Sequence, residues 1–169
     1  KDDLNELAAV WILDFPMFEK MKDGSICATH HPFTAIKESC IAHFETSPLH
    51  SVYAQQYDLS LNGSEVAGGS IRTYDPQILS RVFEFLGHSK KNVTEQFGHL
   101  LEAFEYGVPP HGGIAWGYDR LLMILLGEPS IREVIPFPKT GDGRDPLMDS
   151  PSRVEDTQLK ELNISLTSK

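Results

Sequence analysis

The sequence predicts an α+β domain in which antiparallel strands are backed by helices, and three observations carry that prediction. Apolar and polar residues alternate on both sides of Asn62-Gly63, the signature of a tight hairpin. Asp75-Pro76 opens, and Gly87 closes, one helical segment, while Phe97, Leu100, Leu101 and Phe104 recur at helical spacing in a second. Finally, the small-residue stretch from Gly112 to Gly117 runs directly into the apolar Leu121–Leu126, with Arg120 at the joint. This reads as a strand turning into a buried helix that holds a guanidinium over an open floor suited to a flat ligand.

In chain order, Ala9 to Phe15 is a short apolar run closed by Pro16, and predicts a strand buried on both faces. Residues 20–51, interrupted by Pro32 and Pro48, read as a long loop with some helix, a length often associated with function. The hairpin joins Tyr57–Leu61 to the strand that starts at Ser64. Helices are predicted from Asp75 to Leu86, from Val93 to Tyr106 and from Tyr118 to Leu126. Ser130-Ile131-Arg132-Glu133 has the spacing of a capping box before a short helix, and the tail from Lys139 reads as mostly loop.

Composition narrows the class. At 169 residues and 40% hydrophobic, the chain can bury a core in one domain, and no apolar run approaches the roughly 18 residues of a membrane span. Cys27 and Cys40 lack metal-type spacing, which points to a reducing compartment rather than a disulfide framework. The Asn-x-Ser/Thr triplets at Asn62, Asn92 and Asn163 are read as chance. A net charge of -9 opposes broad binding of a nucleic-acid backbone by this segment alone.

The hairpin permits a deduction about one face. A two-residue turn pairs Ser60 with Glu65 and Asp58 with Ala67, which puts Asp58, Ser60 and Glu65 together and makes the two acids diagonal neighbours, roughly 7–8 Å apart at the backbone. Such a pair suits Mg²⁺ carrying substrate phosphates, or is a wet outer face. Continued alternation would send Arg72 to the core; a bulge at Gly68-Gly69 would restore it to the Asp58 and Glu65 surface as a fork for a substrate carboxylate. His30-His31-Pro32-Phe33-Thr34 precedes the hairpin as a loop that could close over a polar ligand.

These segments together resemble the C-terminal part of the catalytic domain of bacterial-type (bacterial or mitochondrial) aspartyl-tRNA synthetases, which are class II enzymes. The likeness runs from about Val10 to the end. It rests on Trp11–Phe18, His30–Thr34, Tyr57-Asp58, Asn62-Gly63, Glu65–Arg72, Tyr106–Gly112, Gly117–Arg120 and Ile131–Lys139, in that order. The resemblance implies a class II antiparallel sheet flanked by helices, with residues 1–169 as part of the catalytic domain and motif 3 at about 112–127.

By resemblance, Arg120 is the motif 3 arginine that packs on ATP, with Gly117, Tyr118 and Asp119 as the adjoining floor. Glu65, assisted by Asp58, resembles the carboxylates that hold Mg²⁺ on ATP. Arg72 resembles the arginine that recognises the aspartate side chain, and His30 the loop histidine that contacts it. Glu65, Arg72 and Arg120 are thus the implied catalytic set. The implied reaction activates L-aspartate with ATP and transfers it to the 3′ end of tRNA(Asp), in the bacterial cytoplasm or the mitochondrial matrix, by an enzyme that forms a homodimer and does not enter a membrane. Motifs 1 and 2 and the anticodon-binding barrel find no counterpart, so the chain is expected to be a piece of a longer enzyme and incompletely active alone. Ala67, Trp116, Tyr118 and Pro136 depart from the family's usual residues. A related enzyme activating asparagine or lysine is disfavoured by His30-His31 and Arg72. A non-catalytic, nucleotide- or protein-binding synthetase-like module is disfavoured by the clustered charges of Asp58, Glu65, Arg72 and Arg120.

Overall fold

A computed structural model describes residues 6–167. Four strands form one antiparallel sheet in the order β1-β4-β5-β6: β1 Ala9–Leu13, β4 Gln56–Leu61, β5 Ser64–Ile71 and β6 Gly112–Trp116. A second, two-stranded sheet pairs β2 Phe18–Lys20 with β3 Ile26–Ala28. The helices are α1 Glu38–Ile41, α2 Pro76–Phe85, α3 Lys90–Glu105, α4 Tyr118–Leu126 and α5 Asp156–Glu161. The α+β class is as predicted.

Local chemistry explains the elements that matter for the site. Asn62 and Gly63 both take positive φ, which closes the two-residue β4–β5 turn with the twist a hairpin needs. The Asp75 carboxylate accepts from the backbone N–H of Gln77 and Ile78, Pro76 fills the first helical position, and α2 ends before Gly87 in the left-handed region. Ser89 caps α3 through the N–H of Asn92, so that helix starts three residues before the predicted Val93.

The core lies beside the large sheet. One cluster joins Met17, Phe18, Ile36, Cys40, Phe44, Val52, Ala54 and Val82; a second joins Leu79, Phe83 and Val93, with Phe33, Phe97 and Phe104 packed against it. Rings meet edge-on between Phe18 and Phe85 at 4.8 Å and stack between Phe83 and Phe97 at 4.9 Å. Burial of each such ring contributes on the order of 1.5–3 kcal/mol. Residues 20–51 are, as predicted, mostly loop with some helix, but the loop is anchored: β3, α1 and a 3₁₀ turn at Leu49–Ser51 punctuate it, and Ile36, Cys40 and Phe44 from it enter the core.

Four further expectations need correction. β1 forms, but it is an edge strand exposed on both faces rather than buried: Trp11 is 53% exposed although its ring meets that of Tyr57 edge-on at 6.2 Å. α4 is likewise not buried: Leu125 and Leu126 on its last turn face outward. Ser130 accepts from the N–H of Arg132 and caps a 3₁₀ turn, Ile131–Glu133, without the reciprocal half of a capping box. That box occurs instead in the tail, where Glu155 and Gln158 start α5.

The fourth concerns the bulge. It sits at Val66, not at Gly68-Gly69: Ser60 pairs with Glu65 while Leu59 pairs with Ala67, so one residue is extra. The backbone there finds its partners at the β6–α4 joint, where the N–H of Gly117 donates to the Val66 carbonyl at 2.7 Å. Gly68 and Gly69 pair regularly with Asp58 and Tyr57 on one side and with Ala115 and Ile114 on the other. Glycine at position 69 serves close approach, since a Cβ there would lie 2.0 Å from the Gly113 carbonyl oxygen.

Candidate active site

The bulge reverses the parity of β5, so the side chains of Glu65, Ser70 and Arg72 fall on the face that carries Gln56 and Asp58. The shared surface deduced from the sequence forms, by a bulge three residues upstream of Gly69. Asp58 and Glu65 converge over Gly68: a Cβ at that glycine would lie 2.8 Å from Asp58 Oδ1 and 3.5 Å from Glu65 Oε1. Two carboxylates above a floor without a side chain are hard oxygen donors with room for a small cation and an anionic partner.

Arg120 closes one side of that cleft. It lies in the first turn of α4, and its Nη1 donates to the Glu65 carbonyl at 3.0 Å while remaining 3.9 Å from Glu65 Oε2. The main-chain bond anchors the guanidinium; the ion pair adds little, because both groups are about half exposed. Glu65, Gly68, Gly117, Asp119, Arg120 and Ile131 are among the residues lining a cleft of about 300 Å³. Tyr118 stands beside it, largely exposed.

Arg72 lies four residues beyond Gly68, roughly 13 Å further along the strand direction. Its backbone bridges to Thr34 and its N–H donates to the His111 carbonyl at 2.9 Å. Its Nη1 donates to the ring of His31, whose nitrogens also lie 3.3 and 3.4 Å from Thr34 Oγ1. Burial, the Arg72 charge and then His30 hold His31 below the usual histidine value of 6.5, so the ring is neutral near pH 7 and accepts from the arginine. His30, the histidine singled out in the sequence, is exposed and meets the edge of Phe15 at 4.9 Å.

The chain as a whole is similar to known proteins. Residues 2–141 match the family model described as tRNA synthetases class II (D, K and N). The chain belongs to that family. A class II synthetase named aspartate–tRNA ligase from Bacteroides thetaiotaomicron is 48% identical over 163 residues, covering 96% of this chain and 28% of that protein. One from Thermoanaerobacter sp., named aspartate–tRNA(Asp/Asn) ligase, is 49% identical over 165 residues, covering 97% of this chain and 28% of its own length. Among solved structures, the aspartyl tRNA synthetase from Entamoeba histolytica superposes with a TM-score of 0.58 at 26% identity, covering 82% of this chain and 23% of that one. The chain thus spans little more than a quarter of the curated relatives it matches, and β1, β6 and α4 are exposed in this class II segment.

Sequence reasoning brought Asp58, Glu65 and Arg72 to one surface and set Arg120 at the strand–helix joint, but missed three neighbours. His31 rather than His30 holds Arg72. Gln56 donates to Asp58, a contact legible in principle from their two-residue spacing on β4. Ile131 reaches the cleft from beyond α4, and no local pattern announces it. No helix among the described residues is long and apolar enough to cross a membrane.

Proposed function

We propose that this chain is part of an aspartate–tRNA ligase, an enzyme that activates L-aspartate with ATP and passes the aspartyl group to the 3′ end of tRNA(Asp). The observation that carries the reading is the single face on which Asp58 and Glu65 converge over Gly68, Arg120 overhangs the cleft, and Arg72 stands four residues beyond Gly68. The names and identities of the relatives support it.

In this reading Arg120, anchored by its bond to the Glu65 carbonyl, presents its plane to the adenine above a floor of Gly117, Tyr118 and Asp119. Asp58 and Glu65 would hold Mg²⁺, for which two hard carboxylates over a bare glycine are a fitting donor set. Bound there, the ion would neutralise phosphate charge. Arg72 has five N–H donors; with one directed to neutral His31, the others remain for the side-chain carboxylate of aspartate. His30 completes the aspartate contacts from the same loop. An amide in place of that carboxylate would leave the guanidinium uncompensated, which selects aspartate over asparagine.

The α-carboxylate of bound aspartate then attacks the α-phosphorus of ATP and pyrophosphate leaves; a hydroxyl of the terminal tRNA ribose next attacks the carbonyl of the aspartyl-adenylate, forming the ester and releasing AMP. Positioning and charge complementarity supply the rate, and no protein nucleophile is required. The acidic charge of this segment assigns most tRNA contacts to other parts of the enzyme, which would work as a homodimer in the bacterial cytoplasm or the mitochondrial matrix.

The test is exchange of pyrophosphate into ATP by the natural full-length protein, with aspartate, asparagine or lysine, and with Arg72→Ala alongside. Exchange with aspartate alone, lost in the variant, is expected. Absence of exchange with every amino acid would replace this reading by a non-catalytic module.

A further inference from the structure

We propose that Gln56 is a positioning residue for the Asp58 carboxylate, fixing which of its oxygens faces the cation. The inference rests on the proposed function and assigns a role to a residue outside the face-forming acids and arginines.

Gln56 begins β4, two residues before Asp58 and on the same face, and is only 7% exposed. Its cross-strand partner, Ser70, is fully buried. A primary amide so enclosed must spend its donors on protein groups, since each unpaired buried donor is costly. Its Nε2 donates to Asp58 Oδ1 at 3.2 Å. That same oxygen is the one a Cβ at Gly68 would touch at 2.8 Å. Oδ1 is thus fixed by the Gln56 amide, and among the described residues Oδ2 accepts no hydrogen bond, which leaves it for a ligand.

The choice of an amide matters chemically. Lysine or arginine at this position would orient Asp58 equally well but would cancel the charge that attracts a divalent ion. A neutral donor orients the carboxylate and leaves its charge intact. Carboxylates that bind metals are commonly held by such outer hydrogen bonds, and removing one weakens metal binding by about 10–100-fold.

The experiment uses the natural full-length protein. Gln56→Met keeps the volume and removes the donor; Gln56→Ala removes both; Gln55→Met serves as a neighbour control, because Gln55 bonds to the Ile36 carbonyl instead. Aspartate-dependent pyrophosphate exchange is titrated with Mg²⁺, and melting temperatures are recorded. The expected result for Gln56→Met is a rise of about tenfold in the Mg²⁺ concentration giving half-maximal exchange, with the aspartate KM within about twofold of wild type. Gln56→Ala should show at least the same rise, and Gln55→Met none. An unchanged Mg²⁺ midpoint in folded Gln56→Met overturns the proposal, as does an equal shift in Gln55→Met or a rise confined to the aspartate KM. Absence of aspartate-dependent exchange in the wild type would instead overturn the ligase reading, so the two failures are distinguishable.

Discussion

Replacement of Gly68 by alanine separates the function of the acidic pair from the stability of the sheet. The new methyl carbon would lie 2.8 Å from Asp58 Oδ1 and 3.5 Å from Glu65 Oε1, whereas ordinary contact begins at 3.4 Å. Oδ1 must therefore retreat by about 0.6 Å to regain van der Waals distance. The hydrogen bond from Gln56, already 3.2 Å long, stretches or breaks as it does so. The fold itself is spared, because the group that moves is the end of a side chain and alanine is favoured over glycine in a strand by roughly 0.5–1 kcal/mol. A net change under about 1 kcal/mol corresponds to a melting shift of no more than about 4 °C. A misplacement of this size at a phosphate-handling site lowers pyrophosphate exchange by roughly 10–100-fold. Gly69→Ala provides the contrast: its methyl would sit 2.0 Å from the Gly113 carbonyl, a backbone atom that cannot swing aside, and about 3 kcal/mol or more of stability should be lost. Exchange by Gly68→Ala within about threefold of wild type at equal Mg²⁺ would refute the assignment of the reacting phosphates to this spot.

Arg120→Ala should lower exchange by about 100-fold or more with little change in melting temperature, since its side chain is half exposed and its anchor is one main-chain bond; steady-state kinetics and a thermal melt check both halves. Asp75→Ala removes the acceptor for two N–H groups at the start of α2 and should cost about 1 kcal/mol, read by denaturant unfolding, without altering the Mg²⁺ dependence of exchange. The lowered pKa of His31 means that the unfolded chain binds a proton below 6.5 while the folded one resists it, so stability declines as pH falls through 6.5. That decline should be shallower in His31→Gln, measured by urea unfolding between pH 5 and 8, and an unchanged slope would show that His31 does not resist protonation.

What was legible in the sequence was whatever a short stretch of chain decides by itself. Asn62-Gly63 announced its turn because few other pairs accept positive φ at both positions, and Asp75-Pro76 announced a helix because capping is settled within four residues. The Asp58–Glu65 face followed from period-two alternation across that turn, and the return of Arg72 to it required a bulge. The bulge was misplaced because two adjacent glycines suggest one, while its position is set by a partner 51 residues away, the Gly117 N–H that takes up the Val66 carbonyl. His30 and His31 are indistinguishable to any local rule; only the approach of the loop to the end of β5 selects His31 for Arg72.

The sequence by itself determined the α+β class, the Asn62-Gly63 hairpin and the Asp75 cap of α2, because propensity, alternation and turn chemistry act over a few residues. The tertiary structure alone decided which histidine takes up a donor of Arg72, where the bulge of β5 sits and where the core lies. Those depend on a contact between residues 41 apart for the arginine, on the bond from Gly117 to Val66 for the bulge, and on the packing of residues 17–54 against α2 for the core.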